Sequence, residues 1–157
     1  MAMPILQSPD PRVRTICSPV THFDESLKLL ALNLLRALHA SPRPGLGLSA
    51  NQIGDLRRVF VIDEDSGHRA AARSNAMVFV NPSIRKARGE QTKIESCLSL
   101  PASETRMMTR AKIINWNAFD LDGNPVSGKA SDMLARVFQH ELDHLDGKLI
   151  VDLDGRS

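Results

Sequence analysis

The stretch Phe138-Gln139-His140-Glu141-Leu142-Asp143-His144-Leu145-Asp146-Gly147 decides how the rest of this chain is read. It contains the pattern H-E-x-x-H, which has chemical meaning only on a helix. Met133, Leu134, Val137, Phe138, Leu142 and Leu145 recur at threes and fours, the spacing of an amphipathic helix. Ser131 or Asp132 can cap its start, and Gly147 stands where a left-handed C-terminal cap is wanted. One turn apart, His140 and His144 point the same way and can hold one metal ion. Glu141 adjoins the first of them, placed to take a proton from water activated by that ion. The same stripe carries Met133 and Val137, so the imidazoles face an apolar interior. A single histidine there would read as a hydrogen-bonded core residue, and a charged helix can spell the pattern by chance. Two histidines at this spacing with glutamate between them favour a metal site. The motif lacks a third ligand, and that ligand decides the chemistry.

Working outward, 157 residues suit one domain spanning 1–157, large enough to bury a core. A chain 42% hydrophobic and 24% charged has the make-up of an ordinary soluble globular protein. Its net charge of +2 is too small to argue for nucleic acid or a membrane surface, and no nucleic-acid motif or long Lys/Arg run is present. No apolar run approaches membrane-spanning length, and MAMPILQSPDPRVR lacks a signal peptide's apolar core, so a cytoplasmic protein is expected. Cys17 and Cys97 are the two thiols; in a reducing compartment a free thiol or a metal ligand is expected rather than a disulfide.

Before the histidine helix, the first twenty residues hold Pro4, Pro9, Pro11 and Pro19 and read as extended. Asp24 reads as the N-cap of a helix ending near Ala40, with Leu27, Leu30, Ala31, Leu34, Leu35 and Leu38 on its apolar face and Pro42 and Pro44 stopping it. His22 and His39 flank it as solvated residues. Gly45-Leu46-Gly47-Leu48-Ser49-Ala50-Asn51-Gln52 reads as a strand that another backbone or a ligand approaches closely, and it fits no phosphate loop. Taken alone, such a segment is more often a tight packing site than a binding one, with Gln52 a surface amide. Arg58–Ile62 and Met77–Asn81 read as buried strands, the second ended by Pro82, with a polar loop over Asp63–Asn75 between them that contains Gly67 and His68. The Asp63-Glu64-Asp65 run reads as a solvated turn. Ile94–Pro101 is a further extended stretch that holds Cys97. Ala111–Phe119 and the segment after Asp122-Gly123 read as a hairpin with Trp116 in the core, and Leu149–Val151 as a last strand.

That order is α+β, with antiparallel-rich sheets wrapped around the late metal-binding helix. Such packing can bring Cys97 against His140 and His144. A thiolate with two imidazoles leaves the fourth tetrahedral position open, as a catalytic site requires. An H-E-x-x-H protease would instead take a downstream ligand, but no His follows His144, and only Asp146, Asp152 and Asp154 are offered.

G-L-G-L-S-A-N-Q at 45–52, E-S-C-L-S at 95–99 and Q-H-E-L-D-H-L-D-G at 139–147 resemble, in order and spacing, the three signature motifs of the peptide deformylases. The likeness runs from about Val20 to Val151. It implies hydrolysis of the N-formyl group from the initiator formyl-methionine of new polypeptides, with release of formate. Cys97, His140 and His144 would hold one divalent ion, natively Fe2+, with Zn2+ or Ni2+ as alternatives. Glu141 would be the general base and acid, and the Gln52 amide and Leu98 N–H would stabilise the oxyanion. Gly45, Leu46 and Gly47 would bind the extended formylmethionyl peptide as an added strand. Met133 and Val137 would line the methionine pocket, and Glu95 would border the bound peptide. Separately, Glu95 is expected to pair with Arg110 and brace the cysteine strand, the alternative being two independent surface charges. Three positions depart from the family pattern: Ser96 replaces the usual Gly before the cysteine, Ser49 the usual first Ala of the small pair, and Ala102 a later Gly. A glycine at 96 would serve a backbone angle or substrate clearance. The best-known bacterial members carry a C-terminal ribosome-docking helix for which Ser157 leaves no room, so ribosome docking is not carried over and no more than a transient contact is expected. The rival from another class is a non-catalytic descendant that binds metal or formylated N-termini without turnover.

Overall fold

The computed structural model describes residues 1–66 and 76–156. Gly67 and His68, read above as part of a polar loop, lie outside the described residues. The elements run α1 (Glu25–Ala40), β1 (Gly47–Ser49), β2 (Val59–Ile62), β3 (Met77–Arg88), β4 (Gln91–Glu95), β5 (Arg106–Arg110), β6 (Ile113–Phe119), β7 (Pro125–Ser131) and α2 (Asp132–Leu145). Five strands form one antiparallel sheet in the order β1-β2-β3-β6-β7, while β4 and β5 pair separately.

Strand β2 explains how the layers meet. All four of its residues are buried, because both faces of the sheet are covered at this point. Successive side chains point to opposite faces. Val59 and Val61 join Leu27, Leu30, Leu34 and Leu38 of α1, whereas Phe60 and Ile62 join Phe79, Ile114, Phe138 and Leu145 on the α2 side. Phe138 is the centre of the second core, its ring edge-on to Phe60 at 5.0 Å and to Phe79 at 5.1 Å. A third, smaller core gathers Val13, Cys97, Leu100, Met108, Leu149 and Ile150. The architecture is thus α+β, with antiparallel sheets around the C-terminal helix.

Helix α1 starts as its sequence indicates: an Asp24 carboxylate oxygen accepts from the Leu27 N–H at 3.1 Å. Helix α2 starts at Ser131, which makes no side-chain capping bond, and ends before Gly147, whose φ is 76°. A Cβ at Gly147 would lie 2.5 Å from the Arg14 carbonyl oxygen, so a close approach as well as the turn requires glycine there.

Four expectations need correction. Pro82 does not end β3: Asn81 takes φ 49° and the register with β6 shifts between Val80 and Ser83, so the proline sits in a bulge where no ladder N–H is needed. Leu149–Val151 is no strand: Ile150–Asp152 is a short 3-10 turn, with Asp152 accepting from the Leu149 N–H at 3.0 Å. Asp63 is buried rather than part of a solvated turn, and its carboxylate meets Nε2 of His39, which is exposed as expected, at 2.7 Å. Gln52 is 1% exposed and is no surface amide. Among the described residues no helix is long and apolar enough to cross a membrane.

Candidate metal centre

Three pieces of chain meet at one point. Helix α2 supplies His140, Glu141 and His144 from a single face. The turn after β4 supplies Cys97. This turn is held from outside the strand: Arg43 donates to the Cys97 and Leu100 carbonyls, Gln7 Nε2 donates to the Leu98 carbonyl at 2.7 Å, and the Leu100 N–H closes back on the Cys97 carbonyl at 3.1 Å. Edge strand β1 and the 3-10 turn behind it (Ala50–Ile53) supply Gly47, Ser49 and Gln52.

Cys97 Sγ stands 3.3 Å from His144 Nε2, which stands 3.0 Å from His140 Nε2, and all three donor atoms lie within 4.8 Å of one another. Ligand bonds of about 2.0–2.3 Å around a tetrahedral ion put nitrogen pairs about 3.3 Å apart and sulfur–nitrogen pairs about 3.6 Å apart. The observed separations come within a few tenths of an ångström of both values, so the donor set fits a single ion. The ring orientation agrees: His140 Nδ1 donates to Glu95 Oε1 at 2.9 Å, which leaves Nε2 as the nitrogen facing the centre.

Behind the ligands lies an ion-pair network. Arg110, with no side-chain exposure, donates from Nε and Nη2 to the two oxygens of Glu95 at 2.7 and 3.0 Å, and from Nη1 to Asp143 at 2.8 Å. Burial opposes charge on Glu95, but hydrogen bonds from His140 and Arg110 together with the guanidinium charge outweigh it and hold the carboxyl down at about 2. Burial likewise opposes charge on His140, yet the Cys97 and Glu95 hydrogen bonds and the Glu141 charge raise it to about 10. Burial, then the positive charges of His140 and Arg110, push His144 well below its ordinary value. Burial raises Glu141, partly offset by His140 and Ser49.

These groups border a cleft of about 220 Å³. Gly45, Leu46, Gly47, Gln52, Glu95, Cys97, Leu98, Val137, His140 and Glu141 all line it, and His144 is buried beneath. Met133 does not: it is 51% exposed and borders a separate depression with Glu90, Thr92 and Lys112. The helical stripe that pairs Met133 with Val137 in sequence therefore splits between two surfaces. Glu95 lines the cleft, but both its oxygens are spent on Arg110 and His140, which makes it a brace for the histidine. Among the described residues the Leu98 N–H donates no hydrogen bond, and Gln52 Nε2, bonded to Ser99 Oγ at 3.0 Å, stands 3.8 Å from Cys97 Sγ. A Cβ on Gly47 would lie 2.9 Å from Glu141 Cγ and Oε1, so the bare backbone makes room for that carboxylate.

Ser96 is exposed at the cleft mouth. Among the described residues the only non-glycines with left-handed φ are Asn81 and Asp132, so Ser96 stands under no backbone strain that a glycine would relieve. Cys17 belongs to the core on the α2 side, where burial pushes its thiol up to about 11. Sequence reasoning did not find Arg43, Asp143 or the contact of Ser49 with Glu141. The Ser49-for-Ala departure was the one available signal for the last, and nothing in the sequence marks Arg43.

The sequence profile of the polypeptide deformylase family matches residues 2–155. A peptide deformylase of Alkalilimnicola ehrlichii is 38% identical over 149 residues, covering 94% of this chain and 79% of the relative. One from Cellvibrio japonicus is 40% identical over 152 residues, covering 96% of this chain and 85% of the relative. The crystal structure of a peptide deformylase from Legionella pneumophila shares the fold with a TM-score of 0.86 at 36% identity, covering 97% of this chain and 85% of that one.

Proposed function

The chain belongs to the polypeptide deformylase family, hydrolases that remove the N-formyl group from new polypeptides, and from that premise we propose how its own residues divide the work. The observation that carries the reading is the convergence of Cys97, His140 and His144 beside a buried glutamate at the free edge of β1. A divalent ion held by these three residues supplies Lewis-acid chemistry and makes water acidic enough to react near neutral pH. In this reading Fe2+ is the native ion and Zn2+ or Ni2+ are substitutes, since a thiolate and two imidazoles suit each of them.

An N-formylmethionyl peptide lies along Gly45–Gly47, adding its backbone to the edge of β1. Val137 faces its first side chain. Glu141 takes the proton of the attacking water and returns it to the leaving amine as the formyl C–N bond breaks. The Gln52 amide and the unpaired Leu98 N–H donate to the oxygen on which charge develops. Glu95 and Arg110 keep His140 in the ligating tautomer. The substrate is a newly made chain, and in this reading the protein meets it in the cytoplasm.

The test is formate release from formyl-Met-Ala-Ser by protein purified anaerobically with ferrous iron, beside Glu141→Ala at matched metal content. The expected result is release by the parent protein alone. Equal metal in both proteins with no formate from either would overturn the reading, and metal analysis of protein isolated anaerobically without added metal decides the ion.

A further inference from the structure

Serine at position 49 does more than fill a small space. It is fully buried on β1, and its Oγ stands 2.7 Å from Glu141 Oε2 and 3.0 Å from the Glu141 carbonyl oxygen. A hydroxyl has one proton to give. The carboxylate contact is the shorter and is charge-assisted, so the proton goes to Oε2. Among the described residues Glu141 Oε1 accepts no hydrogen bond, and it is the oxygen that crowds the missing Cβ of Gly47 at the cleft wall. The two oxygens of one carboxylate are therefore unlike, one anchored and one open. The Ser49 N–H also donates to Gln52 Oε1 at 2.9 Å, which turns Gln52 Nε2 towards Ser99 and Cys97. One residue thus ties down both the proton carrier and the amide donor.

We propose that Ser49 is a positioning residue for proton transfer: its hydroxyl anchors Oε2 of Glu141 and leaves Oε1 as the oxygen that receives and returns the proton. An alanine at 49 would keep the backbone bond to Gln52 and free the glutamate alone. The inference rests on the deformylase reading for its kinetic part only.

The experiment compares the parent protein with Ser49→Ala, both loaded with ferrous iron. A hydrogen bond to a charged group, lost where the carboxylate must be held in place, corresponds to a fall in kcat of about 10- to 100-fold. KM for the formylated peptide and metal content stay the same, because neither the β1 edge nor the ligands are touched. The second readout needs neither substrate nor ion. The carboxylate stretch of Glu141, isolated by infrared difference against Glu141→Gln, moves in frequency when Ser49 becomes alanine. A kcat within about twofold of the parent, a KM that rises in step with the fall in kcat, or an unmoved carboxylate band would each overturn the proposal. A parent protein that releases no formate defeats the activity reading instead, and the infrared comparison still decides whether Ser49 holds Glu141.

Discussion

Replacing Arg110 by leucine removes the guanidinium that pairs with both the buried Glu95 and the part-buried Asp143. The side chains of Arg110, Glu95 and Asp143 are 0%, 6% and 16% exposed, so water cannot take over its role. Glu95 is held at about 2 against an ordinary 4.5, which corresponds to about 3 kcal/mol of preference for its charged form. Breaking a buried pair from one side typically costs about 3–5 kcal/mol, and Arg110→Leu is expected in that range at pH 7. The pH dependence follows in sign. Because the folded Glu95 carboxyl is depressed, its contribution is complete above about 4.5 and is lost as pH falls towards about 2. In the variant Glu95 keeps only its His140 contact, so burial raises it, and Asp143, already raised by burial, rises further; both protonate sooner and the gap between the two proteins narrows as pH drops. With Glu95 no longer fixed by Arg110, it orients His140 less firmly, and metal affinity is expected to fall about 10- to 100-fold. Urea unfolding at pH 7 and pH 4, at matched metal content, reads the first two effects, and a competition titration with a chelator reads the third. A loss below about 1 kcal/mol at pH 7, the value of an exposed pair, or a gap that fails to narrow, would refute the reasoning.

Gly47→Ala is expected to fold normally but to lose about 100-fold in kcat, since its Cβ would displace the Glu141 carboxylate that lies 2.9 Å away; formate release beside a thermal melt checks this, and full activity would refute it. Phe138→Ala removes the ring that Phe60 and Phe79 pack against and is expected to cost about 3–5 kcal/mol in urea unfolding; a loss under about 1 kcal/mol would show that this core can collapse around the gap.

The parts of the site that the sequence reveals are those set by local spacing. The i, i+4 histidines, the Asp24 cap and the left-handed Gly147 depend on neighbours a few residues away, and each stands where periodicity puts it. What could not be read depends on partners far along the chain. Arg43 binds carbonyls 54 and 57 residues downstream, and Ser49 meets Glu141 across 92 residues, so no local pattern marks either. Met133 shows where periodicity misleads: helical spacing gives the face but not what covers it, and at the first turn of α2 the side chain is 51% exposed. Pro82 and the turn at Ile150 mislead for a related reason, since a bulge and a short 3-10 turn use the same residue types as strand ends.

Helix α1 gives no residue to the metal centre, yet it sets the tolerance of that centre. Val59 and Val61 lean on Leu34 and Leu38, while β2 pairs Ile62 with Gly47 and Phe60 with Ser49. A volume change of one methylene on the α1 side moves β2, and β1 moves with it. The gap between Gly47 and the Glu141 carboxylate has no room to absorb that movement. Random libraries screened for altered turnover should therefore return hits along the far face of the sheet, at Leu34, Leu38, Val59 and Val61, among variants that bind metal normally.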